Sequence, residues 1–543
     1  MSRSSTQARK AARNARRRGA VALGALALAL AGCSIGPDFI TPKAKVESNY
    51  REARDGVVNS KRETYQRWWT GFRDPTLNRL VEAAYQQNLT LLEAGTRVLQ
   101  ARAQLGVAVG GLYPQSQQAT GSTIYMQPSG TDAVSNPDGG QSQFWRGDFS
   151  GQLNWELDFW GKFRHGVESA DGAYLASIAS YDDVLVTLLG DVATTYIGIR
   201  TLESQIRIAQ ENVVKQKDAL EIARARFQGG ATSDLDVFQA QNVLAQTQAA
   251  VPQLTAQLIA GQAALAVLLG ETPAHIGAEL RPSRGIPVAA ANVAVGIPAD
   301  LLRRRPDVRA AELKALAQSA QVGMAEADLY PAFSLGGAFG TLVSATNGHS
   351  LSQLFTSPSL TFAFGPSFSW PILNYGQITN NVRVEDAKLQ GLLIDYQNTV
   401  LAAQRDVETG LSGYVEGRKQ AAYLKISVEA AENALKLALT EYQLGSRDFT
   451  TVLTAEQNLY QAQTTYAAAV GNVAVNLTKT YRALGGGWQI RDGHEFVDDA
   501  TRDQMRNRTN WGDVLPPAGQ PKPETPGLPG PSDIGPTVRP PQW

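Results

Sequence analysis

The chain has 543 residues, a single cysteine, four histidines and 50 basic against 50 acidic residues, so its formal net charge is zero. Its length suffices for roughly three or four ordinary domains. One cysteine excludes a disulfide framework within the chain, a cysteine-rich zinc module and an iron–sulfur cluster, and the balanced charge argues against nucleic-acid binding.

The N-terminus has the pattern of an export signal. Seven basic residues and no acidic one precede an apolar run of about twelve residues that ends in Leu-Ala-Gly-Cys33. The run has the length of a signal-peptide core and is too short to span a bilayer, which takes about 20 residues. Its end resembles the lipobox, where bacterial lipoprotein signals are cleaved and the cysteine is acylated. The alternatives are an ordinary signal peptide with a chance cysteine and a cytosolic chain with a basic start.

We predict a lipoprotein signal peptide over residues 1–32 and a lipidated Cys33 as the first residue of the mature chain. In such signals, Ser34 rather than an aspartate after the cysteine favours the outer membrane. Loss of the signal leaves 43 basic against 50 acidic residues, so the mature chain carries a formal charge of −7. We expect residues 33–74 to form a lipidated extension ahead of the main body.

The main body is duplicated. A shift of 215 residues aligns Trp155 with Trp370, and the register continues without a gap to Gly270 and Gly485. Similar composition of long helices would not hold one register through glycine turns and tryptophans. The sequence therefore predicts two repeats, over residues 75–285 and 286–490.

Each repeat begins with a helix of some 30 residues, predicted over 75–111 and 306–328, that stops at Leu-Tyr-Pro. Two stretches with the alternation of β-strands follow. In the second repeat Phe362, Phe364 and Phe368 share one parity, as do Phe149, Leu153 and Trp155 in the first. The preceding stretches, 115–127 and 332–343, are weaker candidates. Their lengths suit tilted strands that cross a membrane, although alternation alone favours a small soluble sheet.

A long helical hairpin closes each repeat. No proline occurs between residues 162 and 226, and apolar residues from Leu185 to Phe227 recur with a period near 3.5, which is typical of a coiled coil. A helix of about 65 residues reaches roughly 100 Å. A tight turn then leads to a second helix, and the second repeat does the same; the predicted ranges are 233–269, 377–441 and 448–484.

The predicted strands cannot act alone in a membrane. Four strands do not close a barrel, for which about eight is the practical minimum, and unpaired edges are not tolerated inside a bilayer. Two chains would supply eight strands and three would supply twelve. The residues themselves do not decide between these assemblies.

Four motifs are specific enough to suggest a family. They are Cys33-Ser-Ile-Gly-Pro-Asp38, Trp68-Trp69-x-x-Phe72-x-Asp74-Pro75-x-Leu77, Trp155-Glu-Leu-Asp-Phe-Trp-Gly161 and Leu301-Leu-Arg-Arg-Arg-Pro-Asp307-Val-Arg-Ala-Ala-Glu312. Together they resemble the TolC-like outer-membrane efflux family, in its lipoprotein (NodT/OprM-type) branch, over residues 33–490. The resemblance implies an internally duplicated fold of mixed α and transmembrane β structure. A long periplasmic α-helical coiled-coil barrel is joined to a trimeric 12-stranded β-barrel with four strands per chain.

The same resemblance implies a lipid-anchored outer-membrane protein with a large periplasmic part. It implies the exit duct of a tripartite efflux system, which passively conducts drugs or other small toxic compounds. The implied partners are two further copies in a homotrimer, a periplasmic adaptor (membrane fusion) protein, an inner-membrane RND transporter and outer-membrane lipid. The alternatives are the same channel fold in type I protein secretion or metal export, and a lipid-anchored coiled-coil structural protein without a pore.

The hairpin turns are the predicted functional site. Gly230 and Gly445 each end one helix, and Ser or Asp caps the next; a capped turn without further role is the simplest interpretation. In the family these turns form the periplasmic tip, where the tunnel closes and the adaptor binds. By the resemblance, Asp236, Tyr442 and Arg447 help hold the tip closed through charge-assisted links between neighbouring hairpins.

The second hairpin departs from the family pattern. Where many relatives carry gate carboxylates, six and nine residues after Gly445, this chain has Thr451 and Thr454. An acidic ring from that repeat is therefore not expected. Asp234 and Asp236 remain candidates for acidic rings.

No catalytic constellation is recognisable. The histidines lack metal-site spacing, and the chain has no P-loop, G-x-S-x-G elbow or dinucleotide-binding fingerprint. We therefore predict no enzyme activity, no metal and no cofactor apart from the covalent lipid. The arginine run 303–305 is interpreted as the solvated flank of a helix start rather than a phosphate or nucleic-acid patch. The aspartates 182–183 are interpreted as a water-facing stretch.

The C-terminus has a different composition. Ten of the last 28 residues are proline. Such a composition cannot build a core. We predict a Pro-rich disordered tail over residues 491–543.

Overall fold

The computed structural model describes residues 35–47, 49–54, 58–59, 65–127, 143–274, 276–281, 285–288, 293–294, 304–345 and 349–516. The predicted signal peptide, Cys33 and Arg303 lie outside the described residues, as does the proline-rich end of the chain beyond residue 516.

The two repeats have the same order of elements. The first contains α1 (Pro75–Gln87), α2 (Leu89–Gly110), β1 (Ser116–Met126), β2 (Phe144–Leu157), α3 (Lys162–Gln228) and α4 (Asp234–Leu268). The second contains α5 (Pro306–Ala327), β3 (Ala332–Ser344), β4 (Leu360–Ser369), α6 (Gln377–Gln443) and α7 (Phe449–Ala483), and α8 (Asp499–Arg508) follows. Shorter elements are the one-turn helix Ile276–Glu279 and the paired strands Val58–Asn59 and Val293–Ala294. The four predicted strands and both helical hairpins are confirmed.

One predicted helix is in fact two. Asn88 has an extended ψ of 122°, which ends α1 and begins α2. Its side chain serves two helix ends: Oδ1 accepts from the Leu91 amide at 2.8 Å, and Nδ2 donates to the Leu268 carbonyl at 2.9 Å. The prediction of a single helix over 75–111 is wrong because this contact with the end of α4 lies far away in sequence.

Such contacts stack the short helices end to end. Asn88 joins the start of α2 to the end of α4, and Arg305 joins the start of α5 to the end of α7 by donating to the Ala483 carbonyl at 2.8 Å. The last carbonyls of a helix have no partner within that helix, so each link satisfies one of them. Each stack then runs alongside one of the 67-residue helices, α3 or α6, which are about 100 Å long.

The predicted coiled-coil stripe lies in the core. Leu185, Val192 and Tyr196 of α3 are fully buried among residues from α1, α6 and α7. Gln216, a polar residue on the same stripe, is buried as well, whereas Phe227 at the end of the helix is exposed. The period of 3.5 therefore identified the packing face of α3 as far as its last turn.

The N-terminal extension belongs to the same core. Trp68 stacks on Tyr481 of α7 with ring centroids 5.6 Å apart. Asp74 accepts hydrogen bonds from the first amides of α1 and also from the Tyr196 hydroxyl at 2.7 Å. The tryptophan–aspartate–proline motif thus fastens the start of the first repeat to α3 and α7.

Asp182 and Arg305 belong to charged stretches that were expected to face water, but both side chains lie largely inside the protein. The Asp182 side chain is only 2% exposed and receives hydrogen bonds from Arg491, the shorter at 2.6 Å. The largely buried Arg305 guanidinium contacts Asp307 at 2.7 Å and Asp406 at 3.6 Å. Both predictions are wrong for these residues, because Arg491 and Asp406 come from distant parts of the chain.

The segment after the second repeat is folded as far as residue 516. Phe496 packs edge-on against Tyr181 of α3, and Val497 and Leu515 form a small buried cluster with Leu99 of α2. The predicted disordered tail is therefore wrong for residues 491–516. The proline content of the C-terminus predicted disorder for the whole segment, but its prolines begin only at residue 516.

The tryptophans at the ends of the strands show the duplication in atomic detail. Trp155 donates its indole N–H to the Leu112 carbonyl at 3.3 Å, and Trp370 donates to the Leu329 carbonyl at 3.1 Å. Both donors and both acceptors are equivalent in the two repeats. Each tryptophan thus fixes the end of a strand pair to the end of the helix that precedes it.

The four strands form one antiparallel sheet in the order β1-β2-β3-β4. Each repeat contributes one hairpin, and the central pair, β2 and β3, joins the two repeats. Strands β1 and β4 are left as edges within the single chain.

The strand register separates an apolar from a polar face. Directly paired residues share a face, and one face carries Phe149, Leu153, Trp155, Leu335, Phe339, Phe362, Phe364 and Phe368. The other carries Ser122, Asp148, Ser150, Gln152, Asn154, Ser334, Thr361 and Ser367. Both faces are largely exposed in the single chain, so the apolar face is left uncovered; Phe362, for example, is 81% exposed. A soluble sheet would bury this face, whereas a strand crossing a membrane turns it towards lipid.

We expect Arg491→Leu to destabilise the protein strongly. Burial raises the pKa of Asp182 to about 6 even though Arg491 lies beside it. Removal of the cation leaves a buried carboxylate without its counter-charge, and breaking such a pair costs roughly 3–5 kcal/mol. The midpoint of thermal unfolding, followed by the helical circular dichroism signal at neutral pH, measures the effect.

The matched control is Arg508→Leu, at an exposed position at the end of α8. The double variant Asp182→Asn/Arg491→Leu removes both charges and should recover part of the lost stability. An Arg491→Leu midpoint no lower than that of Arg508→Leu would contradict the assigned role of the buried pair.

Candidate functional site: the tip of the helical hairpins

Both hairpin turns have the same backbone geometry. Gly230 has a φ of +70° and Gly445 a φ of +80°, values that favour glycine. In the first turn the Ala231 amide donates to the Arg226 carbonyl, and in the second the Ser446 amide donates to the Glu441 carbonyl, both at 2.9 Å. This bond closes a helix end with a left-handed residue after it, which confirms the glycine ends of the two predicted turns. Ser233 and Asp448 occupy the N-cap positions of the next helices, but within the described residues their side chains make no capping hydrogen bond.

The tip has its own hydrophobic core, separate from the main one. All four long helices contribute to it: Leu220, Ala223, Ala240, Val243, Leu244, Leu435, Ala438, Tyr442, Phe449, Val452, Leu453, Ala455 and Leu459 are all buried. The rings of Tyr442 and Phe449 lie 4.9 Å apart across the second turn. The two hairpins of one chain are thus packed together down to their turns.

A polar cluster joins the two hairpins at this point. The Tyr442 hydroxyl donates to the Asp236 carboxylate at 3.0 Å, and the Thr232 hydroxyl donates to the same carboxylate. The Arg226 guanidinium donates to the Tyr442 carbonyl and lies 4.6 Å from the centroid of the Tyr442 ring. Tyr442 of the second hairpin is therefore held by a cation and an anion of the first.

The electrostatics keep Tyr442 in its donor form. Its side chain is 2% exposed, and burial, followed by the hydrogen bond to Asp236, raises the pKa of the phenol to about 12. The hydroxyl therefore keeps its proton throughout the physiological pH range. Hydrogen bonds to an ionised partner are about twice as strong as neutral ones, so this link is a strong one.

The remaining predicted residues are not part of this cluster. Arg447 pairs with Glu441 of its own hairpin at 3.2 Å, and both side chains are partly exposed. Asp234 is exposed at the first turn of α4. Thr451 and Thr454 are exposed on α7, where the Thr454 hydroxyl donates to the Thr450 carbonyl at 2.8 Å. Within one chain the structure brings Asp236 and Tyr442 together and leaves these four residues apart from them.

Sequence reasoning missed Arg226. It occupies the position equivalent to Glu441 in the second repeat, so the charge is reversed between the two copies. It is also the one basic residue in the last turn of α3. These two signals, taken together, would have identified it as a residue with a role of its own.

Sequence reasoning also missed Glu456, a carboxyl group in the core of the tip. It lies between Val452 and Leu459 at helical spacing, and its side chain is 2% exposed. Its Oε1 atom is buried without a hydrogen-bond partner among the described residues. Burial raises its pKa to about 7. Glu456 therefore faces the core and does not replace the gate carboxylates that are absent at Thr451 and Thr454.

Known proteins resemble this chain along most of its length. The model of the family described as "Outer membrane efflux protein" matches residues 80–271 and 297–486. The pyoverdine export outer membrane protein OpmQ of Pseudomonas putida is 33% identical over 434 residues, which are 78% of this chain and 88% of that protein. Nodulation protein T of Rhizobium leguminosarum bv. viciae is 30% identical over 86% of this chain and 93% of its own length.

Solved structures show the same fold. The outer-membrane channel OprN superposes with a TM-score of 0.78 at 31% identity, and the match covers 84% of this chain and all of that one. The CmeC channel of Campylobacter jejuni superposes equally well, with a TM-score of 0.78 at 22% identity. An internally duplicated chain with two long hairpins and a four-stranded sheet is therefore the architecture of outer-membrane channels.

We expect the stability of the protein to fall as the pH rises from about 4.5 to about 7. Glu456 is neutral in the folded protein up to a pKa of about 7, whereas an exposed glutamate ionises near 4.5. Over this interval the unfolded chain binds fewer protons, so the free energy of unfolding decreases, on the order of 2–3 kcal/mol in total. Thermal unfolding midpoints across this pH range measure the effect.

Glu456→Gln keeps the shape of the neutral carboxyl and removes its titration. This variant should lose that part of the pH dependence and unfold at a higher temperature than the wild type above pH 7. The control is Glu429→Gln, an exposed glutamate on α6. Equal pH profiles for the wild type and Glu456→Gln would show that the core of the tip does not hold a neutral carboxyl.

Proposed function

Because the chain belongs to the outer membrane efflux protein family, we propose that it works as a homotrimer in which twelve strands close a pore. The chain is an outer-membrane efflux duct with a large periplasmic helical part. The observation that carries the proposal is its four-stranded sheet, which has an exposed apolar face, a polar face and two edge strands.

The sheet geometry supports three copies. Strands β1 and β4 run in opposite directions, so β4 of one copy can pair with β1 of the next and continue the antiparallel order. Two copies would give eight strands, and the interior of so small a barrel is filled by side chains. Three copies give twelve strands and leave room for a lumen. The polar face of each sheet then lines that lumen, and the apolar face contacts lipid.

The helical part supports assembly independently. Helix α4 contains a stretch as apolar as a membrane-spanning helix, yet only 11% of that stretch is buried in the single chain. Ile259 and Val267, for example, are more than half exposed. Apolar helices of a water-soluble region require a cover, and a neighbouring copy of the chain supplies one. The same copies that close the sheet would then also close the helical tunnel.

The lumen requires an outside source of energy. The described residues of the polar sheet face offer hydroxyl, amide and carboxyl side chains along the lumen, and we propose that solutes pass through passively. We assign the driving force to an inner-membrane RND transporter, connected to the tip by a periplasmic adaptor protein. Relatives named as outer membrane proteins of toluene and solvent efflux pumps support this kind of partner. The N-terminal anchor is the lipid on Cys33.

The cargo is a class of compound rather than one ligand. Relatives of this chain are named for pyoverdine export, toluene efflux and cation efflux, so similar ducts serve chemically different solutes. A wide polar lumen selects little, and the transporter then decides what enters. We propose drugs or other small toxic compounds as the cargo.

The polar cluster at the tip is the proposed gate. Tyr442 and Asp236 join the hairpins α3–α4 and α6–α7, and Arg226 holds the same tyrosine. Any movement that separates the hairpins must break these contacts. Arg447 and Asp234, exposed at the turns, are placed to contact neighbouring copies around the threefold axis.

We expect Asp236→Ala and Arg226→Ala to raise the conductance of the purified trimer in planar bilayers. Each variant removes a charge-assisted contact with Tyr442. Loss of one such contact should raise the ratio of open to closed channels by about tenfold or more. Tyr442→Phe removes only the hydroxyl and keeps the packed ring, and it should have the same direction of effect. Arg447→Ala should also raise conductance, because we assign to Arg447 a contact between neighbouring copies.

Val214→Ala, at an exposed site on α3 well away from the turn, is the control. Its conductance should match that of the wild type. Wild-type conductance in both Asp236→Ala and Arg226→Ala would rule out this cluster as the gate, whatever the result for Arg447→Ala.

A deletion strain tests the cargo. Loss of the protein should increase susceptibility to several unrelated drugs or solvents, while metal tolerance and the set of secreted proteins stay unchanged. Complementation with the wild-type gene should restore resistance. A selective loss of metal tolerance or of one secreted protein would favour the corresponding alternative, and purified protein without channel activity would favour a structural role.

A further inference from the structure

The first described residues form a strap along the helices. Residues 35–47, named the N-terminal strap here, run from the start of α3 past α5 to the middle of α6. At the far end the Glu47 amide donates to the Gln404 side chain at 3.3 Å, and Gln404 donates back to the Lys45 carbonyl at 3.1 Å. At the near end the Ile35 amide donates to the Trp160 carbonyl at 3.2 Å.

A histidine holds the near end of the strap. His165, in the first turn of α3, is buried, with 9% of the residue's surface exposed. Its Nε2 atom lies 2.9 Å from the Ile35 carbonyl oxygen, and its Nδ1 atom lies 3.0 Å from the Glu168 carboxylate. Both ring nitrogens thus face hydrogen-bond acceptors.

This geometry decides the protonation state. A neutral imidazole carries one N–H and can donate to only one of the two acceptors, whereas an imidazolium donates to both. A carboxylic acid is a stronger acid than an imidazolium, so the proton between Nδ1 and Glu168 belongs to the ring. The clamp is complete only when His165 is charged.

Two glycines allow close packing around the imidazole ring. Gly323 of α5 packs against it so closely that a Cβ atom there would lie 2.8 Å from the imidazole. Gly36 of the strap has a φ of +143°, and a Cβ atom there would lie 2.7 Å from the Gly323 Cα atom. Two glycines therefore let the strap, α5 and the ring approach one another.

The equivalent junction, between the start of α6 and the end of α2, has no such arrangement. The residue equivalent to His165 is Asn380, and the residue equivalent to Gly323 is Gly106, around which a Cβ atom would meet no neighbour within 4 Å. The duplicated unit does not require a histidine beside a glycine at this place. The junction of α3 with α5, which contacts the strap, is the one that has both the histidine and a glycine packed closely against it.

We propose that the imidazolium of His165 is a clamp that docks the N-terminal strap at the border between helices and sheet, and that loss of its proton releases the near end of the strap. The border is marked by Trp160, whose indole donates to the Pro331 carbonyl at 2.9 Å and whose ring lies 4.9 Å from that of Tyr330. Tryptophan and tyrosine collect at membrane interfaces.

The clamp lies close in sequence to the proposed lipid anchor. Ile35, which it docks, is the second residue after Cys33. This proximity to an anchor rests on the proposed lipidation of Cys33. The clamp itself does not, because it is a contact between Ile35 and His165 that can be measured directly.

The charges around the ring set the direction of the pH effect. The hydrogen bond to Glu168 is the largest influence and raises the pKa of His165 above its ordinary 6.5, whereas burial and Arg164 lower it. Among the described residues outside α3, the Ile35 carbonyl and the backbone of Gly323 contact the ring, and neither of them titrates. The contribution of the protonated ring to docking is therefore fully present below pH 6.5. It is lost as the pH rises through the raised pKa of His165.

Hydrogen–deuterium exchange of the full-length channel in detergent tests the proposal. Exchange rates are divided by the intrinsic rate at each pH, over a range from well below to well above the ordinary imidazole pKa of 6.5. Protection of the Ile35 amide should fall by about tenfold or more as the pH rises, the value of a hydrogen bond to a charged group. The Glu47 amide, which is held by Gln404, is the internal reference and should not change.

Three variants separate a clamp from a merely structural contact. His165→Gln should abolish the transition and leave Ile35 poorly protected at every pH. Glu168→Gln removes the carboxylate charge and should move the transition to lower pH. His349 is an exposed histidine in the segment between β3 and β4, and His349→Gln should leave the transition at the wild-type pH.

The proposal fails if wild-type Ile35 has the same protection on both sides of the transition range, or if His165→Gln keeps the wild-type profile. It also fails if His165→Gln exposes Ile35 and Glu47 equally, since that result means a general loosening of the strap. Channel activity is a separate measurement: a clamp without conductance would contradict the proposed duct and leave the clamp standing.

Discussion

The open edges of the four-stranded sheet are the constraint on which the rest of the structure depends. Hydrocarbon offers no hydrogen-bond partner to an unpaired strand, yet β1 and β4 present two such edges with a large apolar face between them. Lipid can contact the apolar face, and further copies of the chain can form the hydrogen bonds that the edge strands lack. Assembly is therefore a condition for insertion. Each copy must then carry its share of the periplasmic tunnel, which explains why so small a sheet is attached to helices of 67 residues.

Duplication builds that tunnel from two copies of one unit. The two copies differ at the sites to which we assign a function. The repeats share their turn geometry and the tryptophans that fix strands to helices. They differ at the tip, where Arg226 corresponds to Glu441 and Asp236 to Thr451. The link joins a cation and an anion of the first hairpin to Tyr442 of the second, where the first hairpin has Phe227, so identical repeats could not form it. The asymmetry at His165 and Asn380 follows the same logic, because a chain has only one N-terminus to hold.

The sequence predicted the parts of the fold that depend on local periodicity, and it failed where a distant residue decides. Alternation located the strands and a period near 3.5 located the packing face of α3. The break at Asn88 depends on the Leu268 carbonyl, and the burial of Asp182 depends on Arg491. The local sequence was compatible with a continuous helix at Asn88 and with a solvated surface at Asp182. At the tip, resemblance to a family supplied Asp236 and Tyr442, whereas Arg226 and Glu456 became visible only in the contacts between helices.

The energetics of the tip explain how a passive duct can remain shut without a partner. A hydrogen bond to a charged group contributes about 1.5–3 kcal/mol, so three copies of the Tyr442–Asp236 link in the proposed trimer amount to roughly 5–9 kcal/mol. Converting a channel from 1% to 99% open takes about 5.5 kcal/mol of preferential binding to the open form. An adaptor that binds both forms equally well would leave the duct closed, however tightly it bound. Opening therefore requires an adaptor that makes contacts available only after the hairpins have separated, and the exposed turn residues around Arg447 and Asp234 are the surface on which such contacts can form.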